Sequence, residues 1–330
     1  MIEKQRQPQE SRLPVTATYE IRLRLTKTES ASSRFDLYLY NTTRHLATQR
    51  ASRPFSVELW DTETQRIVAL FHADSDGETA VSLPNAPFGG VEFATGIPDE
   101  ALIHMLSFVE TCCREQHLIR LNIKLPPEGY DQARSSFLQE VYRERGFTVM
   151  NSFINHHIPV GDDPFIHKIH PSERKRLRKC QRAGFVTEGW DNPDPGEVYS
   201  FLAKSRERQG YALSLDFEQL KNLLTELPGE VKVFVVKDGA EIVSLTVAIR
   251  VNQRILYNFC PADNLDYRAF SPTVLLNCAL YEYAQNEGIE LIDLGVSLDH
   301  SGNEKASLIR FKENLGGLPS LKLTYSKVLV

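Results

Sequence analysis

The spacing of apolar and polar residues alternates along the chain between a period of two, typical of strands, and a period near 3.6, typical of helices. In the first half it predicts strands at 19–25, 55–60, 66–72, 78–83, 118–125 and 147–159, and helices at 99–117 and 131–145. In the second half it predicts helices at 171–183, 195–209 and 216–226, and strands at 185–190, 231–237 and 241–250. The Ser- and Thr-rich stretch 26–34 is expected to be a loop.

The last part of the chain has the order strand, loop, helix, strand, helix. An apolar strand at 254–260 precedes a helix that begins at Pro272, a second strand ends near Gly295, and the last helix carries Lys312. This is the order of a right-handed crossover between two parallel strands. Proteins of the α/β class bind their ligands at the ends of such strands.

The two halves of the chain contain similar elements in the same order. The predicted strand at 118 corresponds to the one at 289, and the helix-ending Gly146 corresponds to Gly316, so both offsets are about 170 residues. This spacing predicts a tandem duplication of one α/β unit.

Length and composition limit the classes of function. A chain of 330 residues exceeds the size at which one core stops growing, so we expect two domains, 16–162 and 163–330, after a disordered tail at 1–15. The net charge of −5 argues against a DNA-binding protein. There is no apolar run of roughly 18 residues, and the polar N-terminus does not resemble a secretory signal. Five cysteines without a CxxC spacing favour a cytoplasmic protein with reduced thiols, and the oligomeric state stays open.

The start of the helix at Pro272 is a candidate anion site. Ser271 is a good N-cap and Pro272 a good first helical residue, and the free amides of a helix N-terminus attract phosphate. Arg268 lies three residues upstream and can reach the same anion. The alternative is that these residues only start a helix.

Asp293 and Tyr257 are candidate catalytic residues. A carboxylate near the end of a buried strand is costly unless it is paired or used in chemistry. Asp293 is therefore either reactive or a structural acceptor for loop amides. Tyr257 and Asn258 lie on the neighbouring strand and point to opposite faces, so only one of them can face the site.

Lys312 borders the apolar stripe of the last helix, where an ammonium group can stabilise a developing oxyanion. The alternative is a surface lysine whose stem covers apolar neighbours. Ser297 and His300, in the loop before this helix, are candidate substrate-binding groups.

A basic segment covers residues 170–182. Arg174, Arg178 and Arg182 recur every fourth residue, so they form a row on one helix face, called here the basic ridge, which can bind phosphate. The alternative is a solvated helix face. His156 and His157 are adjacent in a strand and point opposite ways, so we expect no metal site.

These segments together resemble a known family. The basic RLRKCQRAGF at 176–185, the YRAFSP at 267–272, the IDLG at 292–295 and the FKENLGG at 311–317 resemble the GNAT-type domain of Fem-like (FemABX) transferases and their bacterial relatives. The first half, with NAPFGG at 85–90, is similar to the degenerate first GNAT unit of the same tandem proteins.

The resemblance implies an α/β fold of two tandem GNAT-like units, each a mixed twisted sheet flanked by helices, with the active cleft in the second. It also implies transfer of an acyl or aminoacyl group to an amine. Ordinary GNAT acetyltransferases bind the CoA pyrophosphate with the pattern R/Q-x-x-G-x-G/A at a helix start. Arg268 matches this pattern, but Ser271 and Thr273 stand at its two glycine positions and restrict close backbone approach, which makes acyl-CoA a doubtful donor. Fem-like enzymes use aminoacyl-tRNA instead.

We therefore expect an acyltransferase in which Arg268, Ser271 and Thr273 bind the donor. Lys312 would stabilise the oxyanion, and Asp293 or Tyr257 would transfer the proton. The expected substrate-binding residues are Arg174, Arg178, Arg182, Asn258, Ser297 and His300. Two alternatives stay open: an aminoacyl-tRNA-dependent Fem-like transferase, and a catalytically silent tandem GNAT protein that binds or scaffolds.

Overall fold

The computed structural model describes residues 11–25 and 32–329, which form two compact units. Unit 1 contains the chain up to Ser152 together with Lys322 onward, and unit 2 contains Phe153–Leu321. Part of the predicted loop, 26–31, and most of the predicted tail, 1–10, lie outside the described residues.

Unit 1 begins with a run of strands and contains two long helices. Its elements in chain order are β1 (Ser11–Pro14), β2 (Tyr19–Arg24), a 3₁₀ turn (Leu39–Asn41), α1 (Thr43–Thr48), β3 (Pro54–Asp61), β4 (Arg66–Asp76), β5 (Thr79–Val81), β6 (Glu92–Phe93), α2 (Asp99–Glu115), β7 (Arg120–Lys124), a 3₁₀ turn (Glu128–Tyr130), α3 (Gln132–Glu144) and the first part of β8 (Thr148–Pro159). The predicted helices and strands of the first half are confirmed to within a few residues at most ends.

Unit 2 continues from β8 and contains the remaining elements. They are α4 (Phe165–Lys168), α5 (Pro171–Arg182), β9 (Val186–Trp190), α6 (Pro195–Glu207), α7 (Phe217–Glu226), β10 (Val231–Asp238), β11 (Glu241–Arg250), β12 (Ile255–Asn258), β13 (Ala262–Asp263), a 3₁₀ turn (Leu265–Tyr267), α8 (Pro272–Asn286), β14 (Leu291–Val296), α9 (Ala306–Asn314) and β15 (Leu318–Val328). Local signals set several of these ends. Asp216 and Gln219, for example, form a capping box at the start of α7.

The sheet of unit 1 has the strand order β1-β2-β3-β4-β5-β7-β15. Only β5 and β7 run parallel among these pairs. The apolar stripe of α2, which includes Leu102, Met105 and Val109, packs into the core on this sheet together with Leu138 of α3. Gly146 follows α3 with a φ of +79°, as expected for the residue after a helix end.

The sheet of unit 2 has the strand order β8-β14-β12-β11-β10-β9, in which β12 and β14 are parallel. Helix α8 lies over it and is buried on most sides, including Val274, Leu276 and Tyr281. The parallel pair with α8 as its crossover is the arrangement that the last part of the sequence predicts. The mixed α/β class expected from the sequence is therefore confirmed.

Each unit is completed by the final strand of the other half of the chain. Thr324 to Val328 of β15 pair with β7 in unit 1, and Asn155 to Pro159 of β8 pair with β14 in unit 2. The units therefore divide at residues 152 and 153, whereas the sequence places the division at 162 and 163 and assigns the last strand to the second domain. Period-two patterning identifies a strand, but it does not reveal which neighbour the strand pairs with.

The predicted disordered tail needs a correction at its end. Residues Ser11–Pro14 form β1, which pairs antiparallel with β2. Four residues are too few for period-two alternation to be recognised in the sequence. The segment is ordered because it pairs with β2. All five cysteines are buried and unpaired. No helix among the described residues has the length and apolar character needed to cross a membrane.

Candidate functional site

A splay between β12 and β14 opens the candidate site in unit 2. The two strands pair in parallel over three positions and stop at Tyr257 and Asp293. Beyond that point β12 stays with β11, because Asn258 pairs with Ala248 and the amide of Phe259 donates to the carbonyl of Val247. The carboxyl ends of the two parallel strands therefore separate, which is where ligands bind in α/β folds.

Asp293 organises the end of β14. Its Oδ1 accepts hydrogen bonds of 2.7 Å from the backbone amide of Gly295 and from Nδ2 of Asn155. A bulge lies between Asp293 and Gly295, and Gly295 has a φ of +70°. A Cβ at Gly295 would lie 3.2 Å from the hydroxyl oxygen of Tyr257, so the glycine allows the tyrosine to pack over the bulge.

Lys312 is buried beside this bulge. Only 7% of the residue is exposed, and its Nζ donates hydrogen bonds of 2.8 Å to the carbonyls of Gly295 and Val296. Burial lowers the pKa of Lys312 to about 8, and the charge of Asp293 opposes that shift. This geometry excludes the alternative of a surface lysine. The backbone of Lys312 also explains the last glycine of the FKENLGG segment. A Cβ at Gly317 would lie 2.7 Å from the carbonyl oxygen of Lys312, which is too close for any larger residue.

Two histidines and a tyrosine surround this centre. Strand β8 places His157 opposite Asp293 and His156 opposite Gly295. Burial lowers the pKa of both histidines, and the charge of Lys312 lowers that of His156 further, so the neutral rings are favoured. Burial, reinforced by the charge of Asp293, raises the pKa of Tyr257, whose hydroxyl therefore stays protonated.

These residues form what we call the Lys312 cluster: Asn155, His156, His157, Tyr257, Asp293 and Lys312. Several of its buried polar atoms have no hydrogen-bond partner within the described parts of the chain. They are Oδ1 of Asn155, both ring nitrogens of His156 and Nδ1 of His157, and the buried Oγ of Ser297 next to the cluster is a further one. Most buried polar groups in proteins are paired, so this concentration makes the Lys312 cluster the candidate functional site of unit 2.

The start of α8 differs from the predicted cap. Ser271 has a left-handed backbone with a φ of +56°, and its hydroxyl donates to the carbonyl of Arg268 instead of capping the helix. Residue types that favour caps do not specify the backbone angles that a preceding loop imposes. The hydroxyl of Thr273 bonds to the carboxylate of Asp263, which also accepts a hydrogen bond of 2.7 Å from Ser244. A half-buried carboxylate therefore lies beside the first turn of α8, and desolvation raises its pKa.

The other predicted binding residues have different surroundings. Asn258 is buried away from Tyr257, where it accepts from Thr246 at 2.6 Å and donates to Asn277 of α8 at 3.2 Å. Ser297 is buried directly after the carbonyl that binds Lys312. His300 is exposed in the following loop, and its ring stacks edge-on against Tyr211.

The three arginines of the basic ridge on α5 differ in their contacts. Arg174 donates to the backbone carbonyls of Ile169 and His167 and thus holds the turn before the helix. Arg178 and Arg182 are exposed. Elsewhere on α5, the Nζ of Lys179 donates to the carbonyl of Ala269 at 2.6 Å, so this helix contacts the loop that leads into α8.

The corresponding position in unit 1 is closed. After β5, the chain keeps bonding to β7, since the amide of Ser82 donates to Asn122 and the amide of Gly89 to Lys124. The ammonium of Lys124 ties this segment down through the carbonyls of Pro84 and Ala86. The PNAPFGG segment therefore occupies the space that a splay would open.

Residues 171–312 match the family model described as the acetyltransferase (GNAT) domain. FemX is similar in structure to most of the chain, with a TM-score of 0.66 at 13% identity over 88% of this chain and 92% of FemX. A tandem GNAT protein from the clavulanic acid biosynthesis pathway, solved without AcCoA, gives a TM-score of 0.54 at 13% identity over 91% of each chain. The chain has a tandem GNAT fold of the Fem-like kind.

A further solved structure is similar to most of this chain. It is the C-terminal domain of a putative lysylphosphatidylglycerol synthetase from Agrobacterium fabrum, with a TM-score of 0.53 at 10% identity over 78% of this chain and 80% of that domain. A comparison of the sequence with curated proteins found no match. The matching family model and the similar solved structures confirm, for the fold, the family resemblance seen in the sequence.

Sequence reasoning missed several residues of the site. Asn155 belongs to no motif, and it lies in a strand of mixed polarity directly before His156 and His157, so the sequence does not single it out. Asp263 comes two residues after Pro261 and looks like an ordinary turn residue. Among the described residues, no group of three or more His, Cys, Asp and Glu side chains is arranged to hold a metal ion.

Proposed function

We propose that this protein is an acyltransferase that moves an acyl or aminoacyl group onto an amine, with its reaction centre at the Lys312 cluster. The observation that carries the proposal is the state of Lys312. An ammonium group has three N–H donors, and two of them bind the carbonyls of Gly295 and Val296. The third has no acceptor among the residues that the structure describes, and we propose that it binds the carbonyl of the substrate.

The chemistry of acyl transfer needs such a donor. When a neutral amine attacks a thioester or ester carbonyl, negative charge develops on the carbonyl oxygen. A preorganised N–H donor in a buried position stabilises that charge more strongly than water does. With a pKa of about 8, most of Lys312 is charged at pH 7, and its two carbonyl bonds hold it in one position. Lys312 would therefore act as the oxyanion donor.

Two neighbours have distinct proposed roles. The raised pKa of Tyr257 keeps its hydroxyl protonated, which suits a hydrogen-bond donor to the substrate or the leaving group rather than a base. Asp293 holds the Gly295 amide and Asn155, so it positions the bulge that in turn holds Lys312. Asp293 is also the carboxylate of the cluster, and it is the proposed acceptor of the proton that the attacking amine releases.

The residues at the start of α8 bear on the identity of the acyl donor. Arg268 is exposed there, and we propose that it pairs with a phosphate of the donor. The carboxylate of Asp263 beside Thr273 acts against the binding of a pyrophosphate close to the helix backbone. We therefore propose aminoacyl-tRNA as well as acyl-CoA as a donor. The exposed Arg178 and Arg182 would contact the phosphates of the tRNA.

A transfer assay tests the proposal. The purified protein is incubated with acyl-CoA or aminoacyl-tRNA and a set of amine acceptors, and amide products are detected by mass spectrometry. We expect a product with at least one donor, and a tRNA donor should bind with an affinity that falls steeply as salt rises. Absence of product with every donor, despite a ligand-dependent rise in melting temperature, would favour a catalytically silent binding protein, and absence of both product and binding would overturn the proposal.

A further inference from the structure

Unit 1 contains a cleft of about 310 Å³ between helix α1 and strands β2 to β4. Its floor carries polar side chains of the strands, among them Ser56 and His72. Its roof is formed by α1, with Leu46 and Ala47, and by the segment at Leu83. This volume is at the lower end of the range for small-molecule sites, roughly 300 to 1,000 Å³.

The roof of the cleft is held in place at both ends. Before α1, the buried carboxylate of Glu92 accepts hydrogen bonds from the amide of Tyr38 and the side chain of Asn41. After α1, Asp74 accepts from the amide of Arg53 at 2.7 Å. Since both flanks of the helix are fixed, the roof cannot settle onto the floor and fill the space, which makes the cleft preformed.

The charges at the cleft leave an excess of positive charge. Glu58 on the floor is paired, because it binds Arg24 at 2.9 Å and the indole N–H of Trp60 at 2.8 Å. Asp74 is engaged by backbone amides, as described above. Arg50 is exposed at the end of the roof and forms no ion pair with any residue that the structure describes. An anion at the mouth of the cleft is therefore favoured.

The interior of the cleft, whose floor is weakly polar, suits an apolar group. Leu46, Ala47, Leu83 and Pro84 provide apolar lining. His72 adds no charge at neutral pH, because burial lowers its pKa to about 4. Its Nδ1 lies 2.6 Å from the hydroxyl of Ser56, so this ring nitrogen and the hydroxyl pair with each other.

We propose that this cleft binds a small amphipathic carboxylate, such as a medium-chain fatty acid. The carboxylate pairs with Arg50 at the mouth, and the apolar part lies between α1 and the Leu83-Pro84 segment. The site is separate from the Lys312 cluster in the chain and in its chemistry, and the proposal does not depend on the acyltransferase activity.

Titration calorimetry with sodium octanoate, 1-octanol and octylammonium tests the proposal. We expect saturable binding of one octanoate per chain and at least about tenfold weaker binding of octanol, since the alcohol cannot form the charge-assisted hydrogen bond that the carboxylate forms. Octylammonium should not bind measurably. Octanoate affinity should also fall as salt rises, because the ion pair is at the surface.

Three variants identify the site. Arg50→Gln should weaken octanoate binding about fivefold to tenfold, and Ala47→Trp should abolish it by filling the cleft. Arg66→Gln removes an exposed arginine of the same unit that does not line the cleft, so it should leave the affinity unchanged. If Ala47→Trp lowers the melting temperature, the decision rests on Arg50→Gln and on the octanol comparison. Equal affinities for octanoate and octanol, equal effects of Arg50→Gln and Arg66→Gln, or no octanoate binding would each overturn the proposal.

Discussion

Replacement of Lys312 by Met tests the proposed chemistry most directly. Methionine keeps the length and apolar stem of the side chain but removes the ammonium group that bridges the carbonyls of Gly295 and Val296. Loss of one oxyanion donor typically costs about 2.7 to 4 kcal/mol of transition-state stabilisation, or roughly 100- to 1,000-fold in kcat. Because this interaction exists mainly in the transition state, substrate affinity should change little.

The folded state should tolerate the substitution, because two effects oppose each other. Burial lowers the pKa of Lys312 from 10.5 to about 8, which corresponds to a penalty of about 3 kcal/mol for the charged form. Methionine removes that penalty but leaves two carbonyls without a donor, at roughly 1 to 3 kcal/mol each. We therefore expect a net change in the free energy of unfolding below about 3 kcal/mol, which urea denaturation measures.

Lys124→Met is the matched control. Lys124 also bridges two backbone carbonyls, at 2.6 and 2.9 Å, and burial, aided by the charge of Lys322, lowers its pKa to about 8. Both variants should alter stability similarly, but only Lys312→Met should lower kcat in the transfer assay. The wild-type kcat should also fall as the pH rises through about 8, where Lys312 loses its proton. Wild-type turnover by Lys312→Met, or an equal loss in Lys124→Met, would refute the oxyanion role.

Three further predictions concern other residues of the two units. Arg174→Ala should lower the free energy of unfolding by about 1 to 2 kcal/mol, because Arg174 holds backbone carbonyls, whereas Arg178→Ala should change it by less than about 0.5 kcal/mol; equal denaturation midpoints would contradict this difference. Asp293→Ala should destabilise the protein by about 3 kcal/mol, since it leaves the Gly295 amide unpaired, and a smaller loss than in Arg174→Ala would show that the bulge does not need the carboxylate. Burial raises the pKa of Glu92 from 4.5 to about 7, so between these values the folded state keeps a proton that the unfolded chain has released. Stability should then decrease as the pH rises from about 4.5 to 7, and Glu92→Gln should flatten that part of the curve; an unchanged pH profile would count against the shift.

Several features of this protein follow from its sequence alone. The periods of two and 3.6 predict helices and strands that the structure contains, because these patterns are set by neighbours a few residues apart. The order of elements and the FKENLGG and IDLG segments suffice to indicate a tandem GNAT fold of the Fem-like kind. They also place attention on Lys312, Asp293 and Tyr257 as members of one site.

The tertiary structure decides how these residues can act. The sequence leaves open whether Lys312 is a surface lysine, and only its contact with carbonyls 16 and 17 residues earlier shows that it is buried. Asp293 is held by Asn155, which is 138 residues away in the chain. Helix and strand patterns are local, whereas burial of a charge, a splay between strands and the exchange of β8 and β15 depend on contacts between distant segments, which no local pattern contains.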